Sequence, residues 1–335
     1  LTEIYERIME SREPLRIAQT LHYIEPNVHQ QLSLVVPCHN AASTLRTTVL
    51  SVRPADRTEI LVVDDGSTDG SLTIARSFEP HVRVLSGPNR GVSAARNTGI
   101  AESTGEWLIF LDADDQFMPH TIEQRLAVAA EHPEADVIVC RWQELIDNGN
   151  CTTEGPVRAI DRAAIEANAE VATAAYVWAP PAAIMYRRTL VEKINGFRLD
   201  LPVIQDARFL FDAAYHGARF AFSDHIGALY RIQAGSLSRR NPARFWSDCL
   251  LNGMQIEALW QTHGVLSTAQ REALAIIYYH SARGLFAAES PEYFEAIKHH
   301  RALGGRLPRH SRIAPPIARA LGLRSARQLL ALVGR

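Results

Sequence analysis

Three carboxylates crowd into four positions at Asp112, Asp114 and Asp115, directly after the apolar run Trp107-Leu-Ile-Phe-Leu111. Such a run reads as a short strand buried on both faces. Side chains alternate along an extended chain, so Asp112 and Asp114 point the same way if the extension continues. Two like charges that close repel, and a divalent cation offsets the repulsion. Mg²⁺ and Mn²⁺ prefer oxygen ligands and often share them with substrate phosphates. Taken alone, the cluster is equally a solvated acidic turn. A further carboxylate, Asp206, falls where Pro202-Val-Ile-Gln205-Asp206-Ala-Arg208 predicts the first turn of a helix. The positive helix end favours its ionised form. It can take a proton from a hydroxyl as a general base, or it can cap the helix.

The elements around these residues repeat one arrangement. Leu32–Pro37 reads as a buried strand ended by the proline, and Ala41–Val52 as a helix. Glu59–Asp64 is the second strand, followed by Asp65-Gly66-Ser67-Thr68-Asp69-Gly70. There Asp69 is placed to cap a helix beginning near Ser71. His81–Leu85 is a third strand. Gly91 turns the chain into a helix over Val92–Glu102, and Glu106–Leu111 is the fourth strand. Strands alternate with helices, and each polar loop follows the carboxyl end of a strand. This predicts an α/β fold: an open, mostly parallel sheet with helices on both faces and ligands outside the strand ends.

The 335 residues, 47% hydrophobic and 21% charged, suit one large or two modest domains. A net charge of −2 makes no case for nucleic acid. Cys38, Cys140, Cys151 and Cys249 lack metal-ligand spacing and read as reduced thiols, which predicts a cytoplasmic setting. No apolar run approaches the ~20 residues that span a bilayer, and residues 1–31 carry no signal-peptide pattern. Leu1–Met9 reads as a short amphipathic helix in a peripheral extension. From Pro242 the pattern becomes helical over Phe245–Trp260, Ser267–Ala288 and Pro291–Leu303. This helical appendage is suited to cover a groove or to form a homo-oligomer contact. Arg306, Arg309, Arg312, Arg319, Arg324, Arg327 and Arg335 follow without an acidic residue, and Ile317–Val333 is amphipathic. Such a tail fits an anionic membrane surface, or packs on the domain or a partner.

The stretches Val-Val-Pro37-Cys-His39-Asn40, Val-Val-Asp64-Asp65-Gly-Ser-Thr-Asp69-Gly, Asn89-Arg-Gly-Val-Ser-Ala-Ala-Arg96-Asn97-Thr-Gly and Phe-Leu-Asp112-Ala113-Asp114-Asp115 together resemble glycosyltransferase family 2, inverting enzymes with the GT-A fold. The resemblance is strongest over 32–118, a nucleotide-sugar half, and continues through an acceptor half, 119–240. The appendage at 241–305 and the basic tail at 306–335 lie beyond it. The resemblance implies that Pro37, His39 and Asn40 line the nucleoside pocket, although the family often has Tyr at the position of His39. It implies that Asp65 reads a uracil ring with support from Asp64, and that Asn89, Arg96 and Ala113 lie on the donor side. Asp112 then approaches ribose and metal, Asp114 binds Mn²⁺ or Mg²⁺ directly, and Asp115 supports them.

Downstream, Trp178-Ala-Pro-Pro-Ala-Ala-Ile-Met185 and Ile194-Asn-Gly196-Phe197 resemble the family's acceptor-side strand and turn. Trp178 is placed to stack on a sugar or to pack in the core. Asp206 becomes the base. Gln205 stands where the family usually has Glu, which puts acceptor contacts in question. Tyr230-Arg231…Ser236 resembles a mobile loop that sets Arg231 and Ser236 near the diphosphate. The expectation is a metal-dependent inverting transfer of a sugar, most simply from a UDP-sugar, to a hydroxyl of a glycan or lipid-linked acceptor. The alternatives are a sugar nucleotidyltransferase, and a degenerate module that binds nucleotide or glycan without turnover.

Overall fold

The computed structural model describes residues 31–53, 57–149, 151–233, 235–306 and 314–333. The helix expected over Leu1–Met9 lies outside them. The first half alternates as expected: β1 (Leu32–Cys38), α1 (Leu45–Ser51), β2 (Thr58–Asp65), α2 (Ser71–Arg76), β3 (Arg83–Gly87), α3 (Val92–Glu102) and β4 (Trp107–Phe110). β1, β2 and β4 are buried along their whole length, as their unbroken apolar runs require. β1 runs one residue past Pro37, which stands opposite Val63 inside the strand rather than ending it. α3 lies close on the sheet because Gly99 has no side chain; a Cβ there would come within 2.3 Å of Val35 Cγ1.

The second half comprises β5 (Gln116–Phe117), α4 (Thr121–Glu131), β6 (Val137–Asp147), β7 (Thr152–Arg158), α5 (Arg162–Ala175), β8 (Ile184–Arg187), α6 (Arg188–Ile194), α7 (Gln205–Tyr215) and β9 (Phe220–Gln233). All strands join one sheet in the order β3-β2-β1-β4-β8-β6-β9-β5, with β7 on β6. Pairing is parallel among β1, β2, β3 and β4. It becomes mixed beyond, where β8 is antiparallel to β4 and β6, while β6 and β9 are parallel. The chain therefore reverses its winding at β1, which has β2 on one side and β4 on the other. Such a switch point opens a crevice at the strand ends.

The halves are bolted together near that crevice. Asn97 on α3 donates to the Phe197 carbonyl at 2.8 Å and accepts from the Phe197 amide at 2.7 Å. Gly196 (φ 77°) lets the turn come this close, since a Cβ would meet Asn97 Oδ1 at 2.6 Å. Phe197 then stacks on Phe209 of α7 with ring centroids 4.0 Å apart.

The appendage holds α8 (Leu237–Arg240), α9 (Pro242–Gln261), α10 (Thr268–Ala287) and α11 (Tyr293–Ala302). It has a core of its own around Ile256, Leu274, Tyr278 and Leu285. α10 opens with a capping box, Ser267 with Gln270, which satisfies two otherwise unpaired N–H groups. The amphipathic segment expected over Ile317–Val333 is two helices, α12 (Ala314–Leu321) and α13 (Leu323–Val333), parted at Gly322 with φ 81°. Ala318 and Ala326 are buried in the appendage core, and Arg324 and Arg327 pair with Glu289. Among the described residues, no helix is long and apolar enough to cross a membrane.

Candidate active site

The loops after β1, β2 and β3 hold one another through side chain to backbone bonds. Both oxygens of Asp65, at the end of β2, accept backbone amides: Arg90 N at 2.8 Å and Gly91 N at 2.8 Å. This clamps the Asn89–Gly91 turn against β2. Gly66 (φ 68°) permits the approach, because a Cβ there would lie 2.6 Å from Asn89 N. Asn40 has φ 50° and accepts from Thr68 N at 2.8 Å, tying the loop after β1 to the loop after β2. The N-cap of α2 is Gly70 rather than Asp69, which lies one residue earlier and accepts from Ser71 N at 2.9 Å and from Ala42 N at 3.1 Å. His39 is exposed between these loops, its Nδ1 2.9 Å from the Asp65 carbonyl and its Nε2 3.1 Å from Asn89 Nδ2. Asp64 is buried; Ser86 donates to one oxygen at 3.0 Å and the other has no partner. Pro37 is buried, paired with Val63 across the sheet.

The acidic cluster is a turn, so the strand geometry expected from alternation stops at Leu111. Asp115 N donates to the Asp112 carbonyl at 3.0 Å. Thr48 of α1 fixes the turn from below, its hydroxyl within 2.9 Å of the Ala113 carbonyl and 2.8 Å of the Asp115 carbonyl. Asp112 pairs with the buried guanidinium of Arg96, which also lies 5.0 Å over the Phe197 ring. Burial, then the neighbouring Asp112, push the Asp114 carboxyl up to about 6. Gln233 donates to Asp114 Oδ2 at 2.9 Å. Asp115 is raised well above the usual range by burial and by its two acidic neighbours, and its Oδ2 is buried without a partner. Arg231 is a strand residue of β9 rather than a free loop residue. Its amide donates to Asp115 Oδ1 at 2.8 Å, its Nε to the Asp114 carbonyl at 3.0 Å, and its NH1 to Asp147 at 2.8 Å. Ser236 sits just beyond, at the start of α8.

Asp206 lies in the first turn of α7 and faces this cluster. Its Oδ1 accepts from Ala207 N at 2.8 Å and its Oδ2 from the Trp178 indole at 3.0 Å. Burial raises its carboxyl, Arg96 opposes that rise, and Asp112 adds to it. Tyr230 feels Asp115, Asp206, Asp112 and Asp114 together, which with burial holds its hydroxyl protonated. Trp178 is 36% exposed, not a core residue, and its edge meets Tyr230 with centroids 5.5 Å apart. Gln205 is buried with its Oε1 unpartnered. Thr48, Asp147 and Gln233 were missed by sequence reasoning; they are single polar residues on regular elements with no motif to mark them. Asp248 on α9 accepts from Val203 N at 2.9 Å, which ties the appendage to the segment just before α7.

A parallel half-sheet that gathers carboxylates at its switch point, joined to a mixed half that returns a further carboxylate to them, is the GT-A arrangement. Residues 33–194 match the model of Glycosyl transferase family 2. EpsH of Bacillus subtilis, described as a glycosyltransferase, is 26% identical over 267 residues, 75% of each chain. YibD of Escherichia coli, an uncharacterized glycosyltransferase, is 40% identical over 119 residues, 34% of each chain. Among solved structures, TarS 1–349 of S. aureus in complex with UDP-GlcNAc superimposes with a TM-score of 0.66 at 20% identity, covering 90% of this chain and 91% of that one. Mannosyltransferase PcManGT of Pyrobaculum calidifontis, in complex with GDP-Man and Mn²⁺, gives 0.55 at 19% identity, with 94% and 90% covered. The protein belongs to glycosyltransferase family 2 and has the GT-A fold. It is a glycosyltransferase.

Proposed function

We propose that the enzyme transfers a sugar from a UDP-sugar, with inversion and with help from a divalent cation, to a hydroxyl of a glycan or lipid-linked acceptor. The observation that carries this reading is the short path from Asp206 to the acidic turn: the Trp178 indole donates to Asp206 at 3.0 Å and meets the Tyr230 ring at 5.5 Å, and the next residue, Arg231, gives its amide to Asp115 at 2.8 Å. His39, Asn40, Asp64, Asp65 and Asn89 form the nucleoside side. The Asp65 oxygens already hold two amides, so recognition of a base ring there uses their remaining lone pairs.

The acidic turn fits a hard cation. Asp115 Oδ2 is buried without a donor, and Asp112 and Asp114 offer carboxylate oxygens. Among the described residues, no three His, Cys, Asp or Glu groups cluster to hold an ion alone. Asp112 and Asp114 would hold such an ion together with substrate oxygens and water, a ligand set that suits Mg²⁺ and Mn²⁺. A cation bound there supplies Lewis-acid stabilisation of the leaving diphosphate. Arg96 fixes the orientation of Asp112, while Arg231 and Gln233 fix the turn and Asp114. Ser236 and α8 flank this side.

Asp206 takes the acceptor hydroxyl proton on a carboxylate oxygen. The acceptor oxygen forms its bond to the anomeric carbon as the carbon–phosphate-oxygen bond breaks, and that electron pair leaves with UDP. A single displacement from the face opposite the leaving group inverts the centre. The raised Asp206 carboxyl is a stronger base than an exposed aspartate. Trp178 and Gln205 border the acceptor. Asp206→Asn is expected to keep UDP binding and to lower turnover by ~10²-fold or more. Near-normal turnover in that variant refutes the assignment, and release of pyrophosphate instead of UDP would mark a nucleotidyltransferase.

The packing of α12 and α13 on the appendage supports a docked tail over a free lipid-binding one. If vesicles of anionic lipid bind the chain, and lose binding when 306–335 are deleted, the tail has a membrane role as well.

A further inference from the structure

The indole of Trp178 does something beyond offering a flat face to a sugar. Among the described residues it is the side chain hydrogen-bonded to Asp206, at 3.0 Å between Nε1 and Oδ2 across 28 positions of sequence. The other carboxylate oxygen is held by the Ala207 amide at 2.8 Å. Each Asp206 oxygen thus has one fixed donor, and its remaining lone pairs are left in defined directions.

Trp178 is itself fixed. The next residues, Ala179-Pro180-Pro181, lead into a 3₁₀ turn at Pro181–Ala183, and Pro180 has φ −64°. The ring edge packs on Tyr230 and on Trp142, the latter with centroids 6.3 Å apart. A half-exposed tryptophan held by two aromatic rings and two prolines can orient a partner without being displaced by solvent. The charged and titratable groups around Asp206 come from five other elements: Arg96 on α3, Asp112 after β4, Tyr186 on β8, Tyr230 on β9 and Cys249 on α9. Arg96 acts on Asp206 through space, and its nearest bond goes to Asp112. Beside the Ala207 amide of its own helix, the indole is thus what fixes the second oxygen and with it the orientation of the carboxylate.

We propose that Trp178 is the positioning residue for the Asp206 base: its N–H locks the carboxylate toward the acceptor hydroxyl. This rests on the reading of Asp206 as the base. Loss of the N–H frees the carboxylate to rotate and removes a charge-assisted bond from its ionised form.

The test uses the whole chain and two substitutions. Trp178→Phe removes the indole. Benzothienylalanine at the same position keeps the shape and replaces N–H by sulfur, so its effect is not one of folding. In the ¹H–¹⁵N spectrum of the five tryptophans, the signal absent from Trp178→Phe is that of Trp178. It is expected to titrate with pH in the native chain and to lose that titration in Asp206→Asn. An indole signal indifferent to Asp206→Asn overturns the proposal without any substrate. With UDP-GlcNAc, Mn²⁺ and water as acceptor, the benzothienyl variant is expected to release UDP about tenfold more slowly, with KM for the donor little changed. The acidic limb of its kcat profile moves up by about one pH unit. An unmoved limb and unchanged kcat overturn positioning while leaving the base intact. Turnover that survives Asp206→Asn removes the base itself.

Discussion

Replacing Asp114 by Asn is expected to make the ligand-free protein more stable while removing the cation-dependent donor binding proposed for it. Burial first, and then the charge of Asp112, lift the Asp114 carboxyl from 3.8 to about 6. A carboxyl raised in the folded state is a proton the fold prefers to keep. Its favourable contribution is full below about pH 4, and is lost as the pH climbs through about 6. A rise of about 2 units corresponds to roughly 3 kcal/mol. The side chain is partly open to water, and screening reduces the figure to about 2 kcal/mol. Asparagine has the same shape, and its carbonyl still accepts the Gln233 bond of 2.9 Å. It also relieves Asp115, which Asp114 pushes upward. The variant is therefore expected to gain about 2 kcal/mol at pH 7.5 and almost nothing at pH 4.5. Urea unfolding of both proteins in chelator across that range measures the difference. Calorimetry with UDP and Mn²⁺ then reads the functional loss. A variant less stable than the native chain at pH 7.5, or a gain that ignores pH, refutes the argument that this turn stores charge repulsion for a cation to relieve.

Two other substitutions test the scaffold around the site. Asn97→Ala leaves the amide and carbonyl of Phe197 without their partners, so unfolding is expected about 2 kcal/mol earlier by denaturant titration. Arg208→Met strips the buried Asp212 of its partner at 2.7 Å and removes bonds to Asn252 and Gln255. It is expected to cost about 3 kcal/mol, and to lower kcat because the same helix carries Asp206; unchanged turnover at lowered stability would separate the two effects.

The donor half was legible because each of its parts is local. Strand, turn and helix follow one another within about 20 residues, and helix Val92–Glu102 begins and ends where the sequence predicts. The acidic residues and Asp206 were found by motif, but their geometry was not. Alternation put Asp112 and Asp114 on one face, whereas a turn held by Thr48 brings them together. That bond joins residues 65 and 67 positions apart, and no local pattern announces it. Arg231 illustrates the same limit. Its motif suggested a mobile loop, yet β9 extends through Gln233 and pins its guanidinium on Asp147. The mixed half of the sheet was hidden because strand direction depends on pairing between distant segments.

The break in composition near residue 240 marks a change of architecture, yet the forces that hold the base run across it. α7 turns Phe209 and Leu210 into the sheet core and Phe211 into the appendage core. Asp248 on α9 accepts the Val203 amide at 2.9 Å, just before the helix that bears Asp206. Arg208, two residues past Asp206, donates its NH1 to Asn252 and Gln255 of α9. Burial, then the charges of Asp248 and Asp206, push the Cys249 thiol up to about 12. A chain cut at 240 would expose Phe211 and leave the Arg208 guanidinium short of partners in a low-dielectric setting, where unpaired polar groups are costly. The appendage is thus part of what holds the helix of Asp206 in place. The smallest unit able to orient Asp206 includes α9, and the core of α10 and α11 that α9 needs in order to stand.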